Sequence, residues 1–571
     1  MPEKKHPRRG AAALLVLAIL LFTSAGCALK TGAPVFPRLE PDYNAKRPLE
    51  FSPFAAELDT FSPRRVAALD AVLIGKSIPQ IQRLLRTGRL TSVELTLWYL
   101  DRIRRYDVDR LNSVLELNPE ALVIAARRDA ERRRGRAGGP MFGIPVLLKD
   151  NIATHDRMHT TAGAYAMKHW RPARDAFLVR QLRRAGAVIL GKANLSEWAN
   201  YMDPAMPSGF SDLGGQTRNP YGPYEVWGSS SGSAVAAAAG LAAVTVGTET
   251  MGSLIMPADI NGVVAIKTSR GLVSRDNIIP LIDWMDVPGP MARSVTDAAV
   301  LLTAMTGTDR NDSATLEAAS LAGTDFTRFL DLERARKLRV GIAVHGEKDV
   351  AAFLEGSHLP EKDAAAVRAT LAAYTRKARR AGSVFRRAGI ALVEVAGREL
   401  PPKAPIDVLL QAGFKDSLNR FLSQPQRRPP VDSLARVIAV NDADPHNRAP
   451  YGQRYLVASR DTRITPAQYA KLRDLVHRGF RSMLHEVFAK HGIDVLVTYR
   501  QSYAPAGLPA ITVPAGYDDH GQPFGVTMIA DFLGEPKLIT AAYAYEHFTR
   551  ARREPDLPAT LQAIERRMAE K

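Results

Sequence analysis

An α/β fold is predicted by three observations. Helix-period and strand-like segments alternate along most of the chain. The composition is ordinary for a globular protein, 46% apolar and 24% charged over 571 residues. One segment, Ala234–Ala243, is built almost wholly of small residues, which lets a helix sit close against a sheet or another helix. The same figures exclude wholesale disorder, which needs low hydrophobicity and high charge density. The single cysteine excludes a disulfide scaffold.

Regular structure is expected from about Ile78. Thr91 and Glu94 have capping-box spacing, and Leu95, Trp98, Tyr99 and Ile103 follow at helical period. A second helix is expected over 119–134. The apolar run Pro145–Leu148 reads as a buried strand ending at Lys149. Phe177–Ala185 reads as a helix and Ala187–Leu190 as the next strand. The Gly/Ser run from Ser229 enters the small-residue helix and can present backbone N–H groups at its positive end. From about 309 to 500 the pattern is looser, with strands at Leu338–Val344, Ile390–Val395 and Asp494–Thr498 and a basic helix over Asp363–Arg380. No chemistry is legible in that region. Strands Leu508–Val513 and Phe524–Ile529 and a helix Pro536–Thr549 close the chain.

The N-terminus reads as an address. Lys4, Lys5, Arg8 and Arg9 precede the apolar run Ala11–Phe22, followed by Ser24-Ala25-Gly26 and then Cys27. The run is too short for a comfortable membrane span. Small residues directly before the cysteine resemble a bacterial lipoprotein signal over 1–26, with lipid on Cys27. A plain secretory signal or an uncleaved anchor is the alternative. Either predicts an exported, periplasmic or cell-envelope protein, and the lipid would make the membrane a partner. Residues 27–77, rich in proline, read as a tether and an arm that hugs the surface. The formal charge is +18, of which the first 26 residues supply +3. The arginines are scattered and no nucleic-acid-binding motif appears, so an Arg-rich solvated surface is expected rather than a nucleic-acid partner.

The histidines are dispersed and there is no His-Glu-x-x-His, so neither a metal nor a cofactor is expected. The stretch Trp227–Ser233 lacks the Gly-Lys-Ser/Thr ending of a P-loop. It does contain Gly-x-Ser-x-Gly centred on Ser230, the pattern of a hydrolase nucleophile elbow. That reading needs a strand before it, where Asn219–Glu225 is a poor one, and a histidine from His485, His520 or His547. Lys149 offers another base. At the end of a buried strand it is either paired with an acid such as Asp150 or desolvated, and desolvation disfavours the ammonium. A neutral amine can then serve as a general base. Ser229 and Ser253 lie 24 positions apart, each in a Gly-bounded segment.

These pieces together resemble the amidase signature family. The resemblance covers most of 121–304 and resumes over 508–553. It is carried by Gly143–Ile152, Gly186–Lys192, Gly228–Ala234, Gly247–Ser253, Pro288–Arg293 and Leu508–Pro514. It implies a single large mixed, twisted sheet covered by helices, forming one domain over 78–571 with a variable region at about 309–500. It also implies a Ser–cis-Ser–Lys triad: Ser253 as nucleophile, Ser229 as bridging serine after a cis bond, and Lys149 as base. Backbone N–H groups of Thr250, Met251, Gly252 and Ser253 would form the oxyanion hole. The physical logic agrees, because a serine hydroxyl is a weak nucleophile until a neighbour takes its proton. The Ser229 hydroxyl can both accept and donate.

Glu249-Thr-Met-Gly-Ser253, Asn194–Asn200 and Gly215–Pro220 look like the branch that contains peptide amidases. Met251 departs from the acidic residue common there. Ile255 stands where many members have arginine, and Trp227 and Thr268 stand where small residues or proline are usual. The expected activity is hydrolysis of a linear carboxamide, a small molecule or the C-terminal amide of a peptide. The alternatives are an amide-transferring enzyme of the tRNA-dependent type, an esterase centred on Ser230, and a non-catalytic binding lipoprotein on the same fold.

Overall fold

The computed structural model describes residues 43–569 apart from 137, 356–360 and 403. The expected signal, the lipidation at Cys27 and residues 27–42 of the proline-rich tether lie outside the described residues. Among the described residues, no helix is long and apolar enough to cross a membrane. Helical structure begins earlier than Ile78, with Ala55–Thr60 and Pro63–Leu73. Pro63 at the first helical position and the Ser62 side chain accepting from the Arg65 N–H start the second of these. Prolines that read as irregular tether are therefore partly helix starts.

The strands are β1 (Val114–Leu117), β2 (Pro145–Lys149), β3 (Val188–Ala193), β4 (Phe210–Ser211), β5 (Gly215–Gln216), β6 (Val244–Glu249) and β7 (Val264–Lys267). They continue with β8 (Val287–Ala292), β9 (Arg339–Val344), β10 (Ala391–Ala396), β11 (Val495–Val497), β12 (Ala510–Tyr517) and β13 (Pro523–Ile529). All but β4 and β5 join one sheet in the order β1-β3-β2-β6-β8-β7-β12-β13-β11-β9-β10. Pairing is parallel for β3-β2-β6 and for β11-β9-β10, and antiparallel elsewhere, so the sheet is mixed. The fold class expected from the sequence is the one observed.

The parallel register of β2 and β6 matters for function. It delivers Lys149 and Glu249, the last residues of the two strands, to the same edge of the sheet. In α/β sheets that carboxyl edge is where ligands bind.

Under this edge lies the small-residue helix, observed over Ser231–Ala238 and fully buried. It starts three residues earlier than the alanine run suggests, because Ser231, Gly232 and Ser233 form its first turn. The close approach is real: a Cβ on Gly232 would meet the backbone oxygens of Asn194 and Ser113, each at 2.4 Å. The helix end is held by Arg102, whose Nε and Nη2 donate to the carbonyls of Gly240 and Ala239 at 2.8 Å each. A cation there satisfies orphan carbonyls and the negative end of the helix together. Arg102 comes from the helix Ser92–Tyr106, whose Thr91–Glu94 capping box forms as expected and whose Leu95, Trp98, Tyr99 and Ile103 are all buried.

The looser region after 309 supplies strands β9 to β11 and a helical cover. Phe414, Leu418 and Phe421 of the helix Ile406–Leu422 pack with Trp170, Trp198, Tyr201 and Phe210 from the loops beside the site. The basic helix is longer than expected, Glu361–Arg387.

Gly232→Ala should cost about 1–3 kcal/mol of unfolding free energy, because its methyl group has only backbone to push against. Urea unfolding of the two full-length proteins measures this.

Candidate active site

Lys149 ends β2 with its side chain entirely buried. Its Nζ lies 2.7 Å from Ser229 Oγ and donates to Ser230 Oγ at 3.0 Å and to the Thr248 carbonyl at 3.1 Å. These partners carry dipoles, not charge. Burial pushes the amine down to about 7, against the pull of the more distant Asp286 and Glu249 carboxylates.

The alternative pairing of Lys149 with Asp150 does not occur. Successive strand side chains point to opposite faces, and Asp150 turns away. It accepts from the Thr161 N–H at 3.0 Å and from the Thr161 hydroxyl, and lies 4.0 Å from the buried Lys192. Lys192 in turn donates to the Ile152 carbonyl and Thr160 Oγ1.

The Gly228–Ser229 peptide bond is cis. The Ser229 carbonyl accepts from the Ser196 N–H at 3.1 Å, and the Trp227 carbonyl accepts from Ser231 Oγ at 2.6 Å. Gly228 is required by space, since a Cβ there would lie 2.2 Å from Ser196 Oγ. Trp227 takes a left-handed conformation, φ 50°, which aims the chain into the turn.

Ser230 has no freedom to act as a nucleophile. Its hydroxyl donates to the Thr248 carbonyl at 2.9 Å and accepts from the Thr248 N–H at 3.1 Å as well as from Lys149. Among the described residues, no strand directly precedes it. The histidines considered for it are engaged elsewhere: His485 with Asp531 at 2.6 Å, His547 against Tyr543 and Phe548, and His520 in the β12–β13 turn. The Ser230-centred esterase is corrected on these grounds; Ser230 is a structural clamp between the serine turn and β6.

Ser253 follows Gly252, whose φ of 83° bends the chain after β6. The Ser253 carbonyl accepts from the Ser230 N–H at 3.1 Å, which fastens this loop to the serine turn. Ser253 keeps 8% of its surface exposed where Ser229 keeps none, so Ser253 is the more accessible of the two. Among the described residues, the N–H groups of Met251, Gly252 and Ser253 have no hydrogen-bond acceptor. Adjacent free donors in a buried turn suit a developing oxyanion.

The departure at Ile255 is resolved by a residue far along the chain. The Glu249 carboxylate accepts from the N–H groups of Leu254 at 2.7 Å and Ile255 at 3.0 Å, and from Tyr503 Oη at 3.0 Å. Two backbone donors and a phenol thus do what an arginine side chain would do. Ile255 instead packs with Ile282, Trp284 and Met285, and Met251 leans on the same apolar cluster. Thr268 is accounted for as well, its hydroxyl donating to the Pro288 carbonyl at 3.2 Å.

Four further residues escaped the sequence reading. Lys267 is fully buried, donates to the Leu508 carbonyl at 2.7 Å, and is held down to about 8 by burial. Tyr503 reaches Glu249 as described. Gln501 Nε2 lies against Gly252 and 2.6 Å from Met256 Sδ. Asp286 accepts from Thr250 Oγ1 at 2.5 Å. Asp286 lies two residues before Pro288 and Lys267 directly before Thr268, so these two stood beside positions the sequence does single out.

The buried amine has a thermodynamic signature. Between pH 7 and 10 the unfolded lysine holds a proton that the folded one has released, so this residue makes stability rise with pH in that window. Lys149→Met should lack that contribution, about 1.4 kcal/mol per pH unit. Urea unfolding of both proteins at pH 8 and 9 measures the difference in slope.

A sequence profile of the family described as Amidase matches residues 94–354. A probable amidase of Arabidopsis thaliana is 36% identical over 84% of this chain and 91% of its own. The native peptide amidase from Stenotrophomonas maltophilia superposes with a TM-score of 0.75 at 41% identity, over 85% of this chain and 99% of its own. A glutamyl-tRNA(Gln) amidotransferase chain of Moorella thermoacetica is 30% identical over 84% of this chain and 98% of its own.

Proposed function

The chain belongs to the amidase family, and from that premise we propose that it hydrolyses the C–N bond of a linear carboxamide through an acyl-enzyme on Ser253. The observation that carries this reading is the 2.7 Å contact between the buried Lys149 amine and Ser229 Oγ, in a setting that brings the amine down to about 7, where its neutral form is accessible.

Ser253 Oγ attacks the carbonyl carbon. Its proton passes to Ser229 Oγ as the Ser229 proton passes to Lys149 Nζ. The carbonyl oxygen becomes an oxyanion held by backbone N–H groups of the 250–253 turn. Collapse of the intermediate breaks the C–N bond, Ser229 protonates the departing amine, and Lys149 returns its proton to Ser229. Water then repeats the sequence on the ester, releasing a carboxylic acid and freeing Ser253. Each half-reaction, acylation and deacylation, needs the amine neutral at the start and cationic in the tetrahedral intermediate. A dry pocket with distant carboxylates supplies that balance.

The substrate proposed is the C-terminal amide of a peptide. Support comes from the 41% identity to the peptide amidase, which exceeds the 30% to the amidotransferase chain. The same comparison favours simple hydrolysis over amide transfer. A non-catalytic role on this fold is disfavoured, since Lys149, Ser229 and the free N–H donors beside Ser253 are all in place.

A fluorophosphonate should label Ser253 in the full-length protein, as read by peptide mapping. Ser253→Ala and Lys149→Ala should each lower kcat at least about 1000-fold on a peptide amide while retaining the fold. Label on any other serine, or ammonia release unchanged in Lys149→Ala, defeats the assignment. Because the neutral amine is the active form, kcat/KM should rise with pH through an apparent pKa near 7.

A further inference from the structure

Asp286 sits just before β8, in a segment that faces the turn after β6. Its carboxylate is part-buried and gathers three donors from two segments: Thr250 Oγ1 at 2.5 Å, the Leu281 N–H at 2.7 Å and the Ile282 N–H at 3.3 Å. Thr250 belongs to the loop that carries Ser253. Ile282, Trp284 and Met285, from the other segment, pack with Ile255 and Met251 of that loop. One part-buried anion therefore buckles the 250–253 loop to its apolar backing.

The same carboxylate is the foremost charge acting on the Lys149 amine, ahead of Glu249. The groups around Asp286 do not cancel it. Asp283 is a like charge on its own segment. Arg275 feels Asp286 but spends its guanidinium on Asp312. Tyr469, from the helix Pro466–His491, contributes a phenol that donates no bond to Asp286 and accepts from Trp284.

We propose that Asp286 is a positioning residue for the reaction at Ser253, its carboxylate clamping the 250–253 loop through Thr250 and adding a negative charge that favours the cationic form of Lys149. This rests on the triad reading above. It assigns Asp286 two separable effects, one geometric and one electrostatic. Removing the charge leaves the ammonium form of Lys149 less favoured, so the neutral amine persists to lower pH.

The test uses full-length Asp286→Asn, Thr250→Val and Thr250→Ser with a peptide C-terminal amide as substrate and a fluorophosphonate to count competent Ser253. Asp286→Asn should lower kcat about tenfold or more with KM within about twofold, and should move the acid limb of kcat/KM to lower pH. Thr250→Val should lower kcat without moving that limb, and Thr250→Ser should recover part of the loss. A folded Asp286→Asn with wild-type kcat and an unmoved limb overturns the proposal. So does a loss of kcat that matches a loss of labelled Ser253 with the limb unmoved, which is what a purely structural role gives. If Asp286→Asn does not fold, Thr250→Val decides: an unchanged kcat overturns the clamp, and a lowered kcat with the limb in place supports it. Failure of the wild type to label at Ser253 is a separate result and removes the triad reading itself.

Discussion

A single amine, buried without a carboxylate in contact, organises this site. The Lys149 nitrogen is surrounded by two hydroxyls and a carbonyl. Burying an isolated ammonium is expensive, and neutralisation is the usual escape. The fold arranges for that escape to stay open. It gives the adjacent Asp150 to Lys192 and Thr161 on the other face of the sheet, and leaves only distant carboxylates to favour the cation. The buried Lys192 and Lys267 differ in kind: Lys192 lies near Asp150, and Lys267 donates to the Leu508 carbonyl, two residues before β12. These buried lysines of one sheet thus have separate electrostatic settings, and the one facing serines is suited to moving a proton.

The loop after β6 shows how a fold tolerates the loss of a side chain by rearranging donors. Glu249 needs cations or N–H groups to settle its charge. With isoleucine at 255 it uses the backbone of Leu254 and Ile255 and the phenol of Tyr503. The bonds to backbone also fix the chain directly after Ser253. The Ser230 N–H to the Ser253 carbonyl ties the other side, and Asn151 Nδ2 ties Thr248 Oγ1 at 3.1 Å. A loop held at each of these points can leave its own N–H groups pointing at a ligand instead of at itself.

Legibility followed contact range. Lys149, Ser229 and Ser253 could be singled out because each sits in a short stretch with special chemistry: a strand-end lysine, a Gly/Ser turn, a Gly-bounded serine. The capping box at Thr91 and the buried face of its helix were equally local. Ser230 invites a nucleophile reading because Gly-x-Ser-x-Gly says nothing about which hydroxyl is already saturated. Tyr503 and Gln501 were illegible. They meet Glu249 and Gly252 across some 250 residues, from a region whose sequence pattern is weak. The early helices Ala55–Thr60 and Pro63–Leu73 were hidden by prolines whose helix-start role appears only once Ser62 caps the turn.

By itself the sequence determined the alternation of strands and helices and the closeness of the small-residue helix, which follow from side-chain size and period and which neighbours in the chain settle. The roles expected of Lys149, Ser229 and Ser253 came from the resemblance of several separate stretches to one family. Only the tertiary structure decided that Lys149 would be paired with hydroxyls rather than with Asp150, that Ser230 would be a clamp, and that Tyr503 and Asp286 would hold the acyl loop. Those outcomes depend on which strands lie parallel and which face each side chain takes, and no short stretch of chain contains that information.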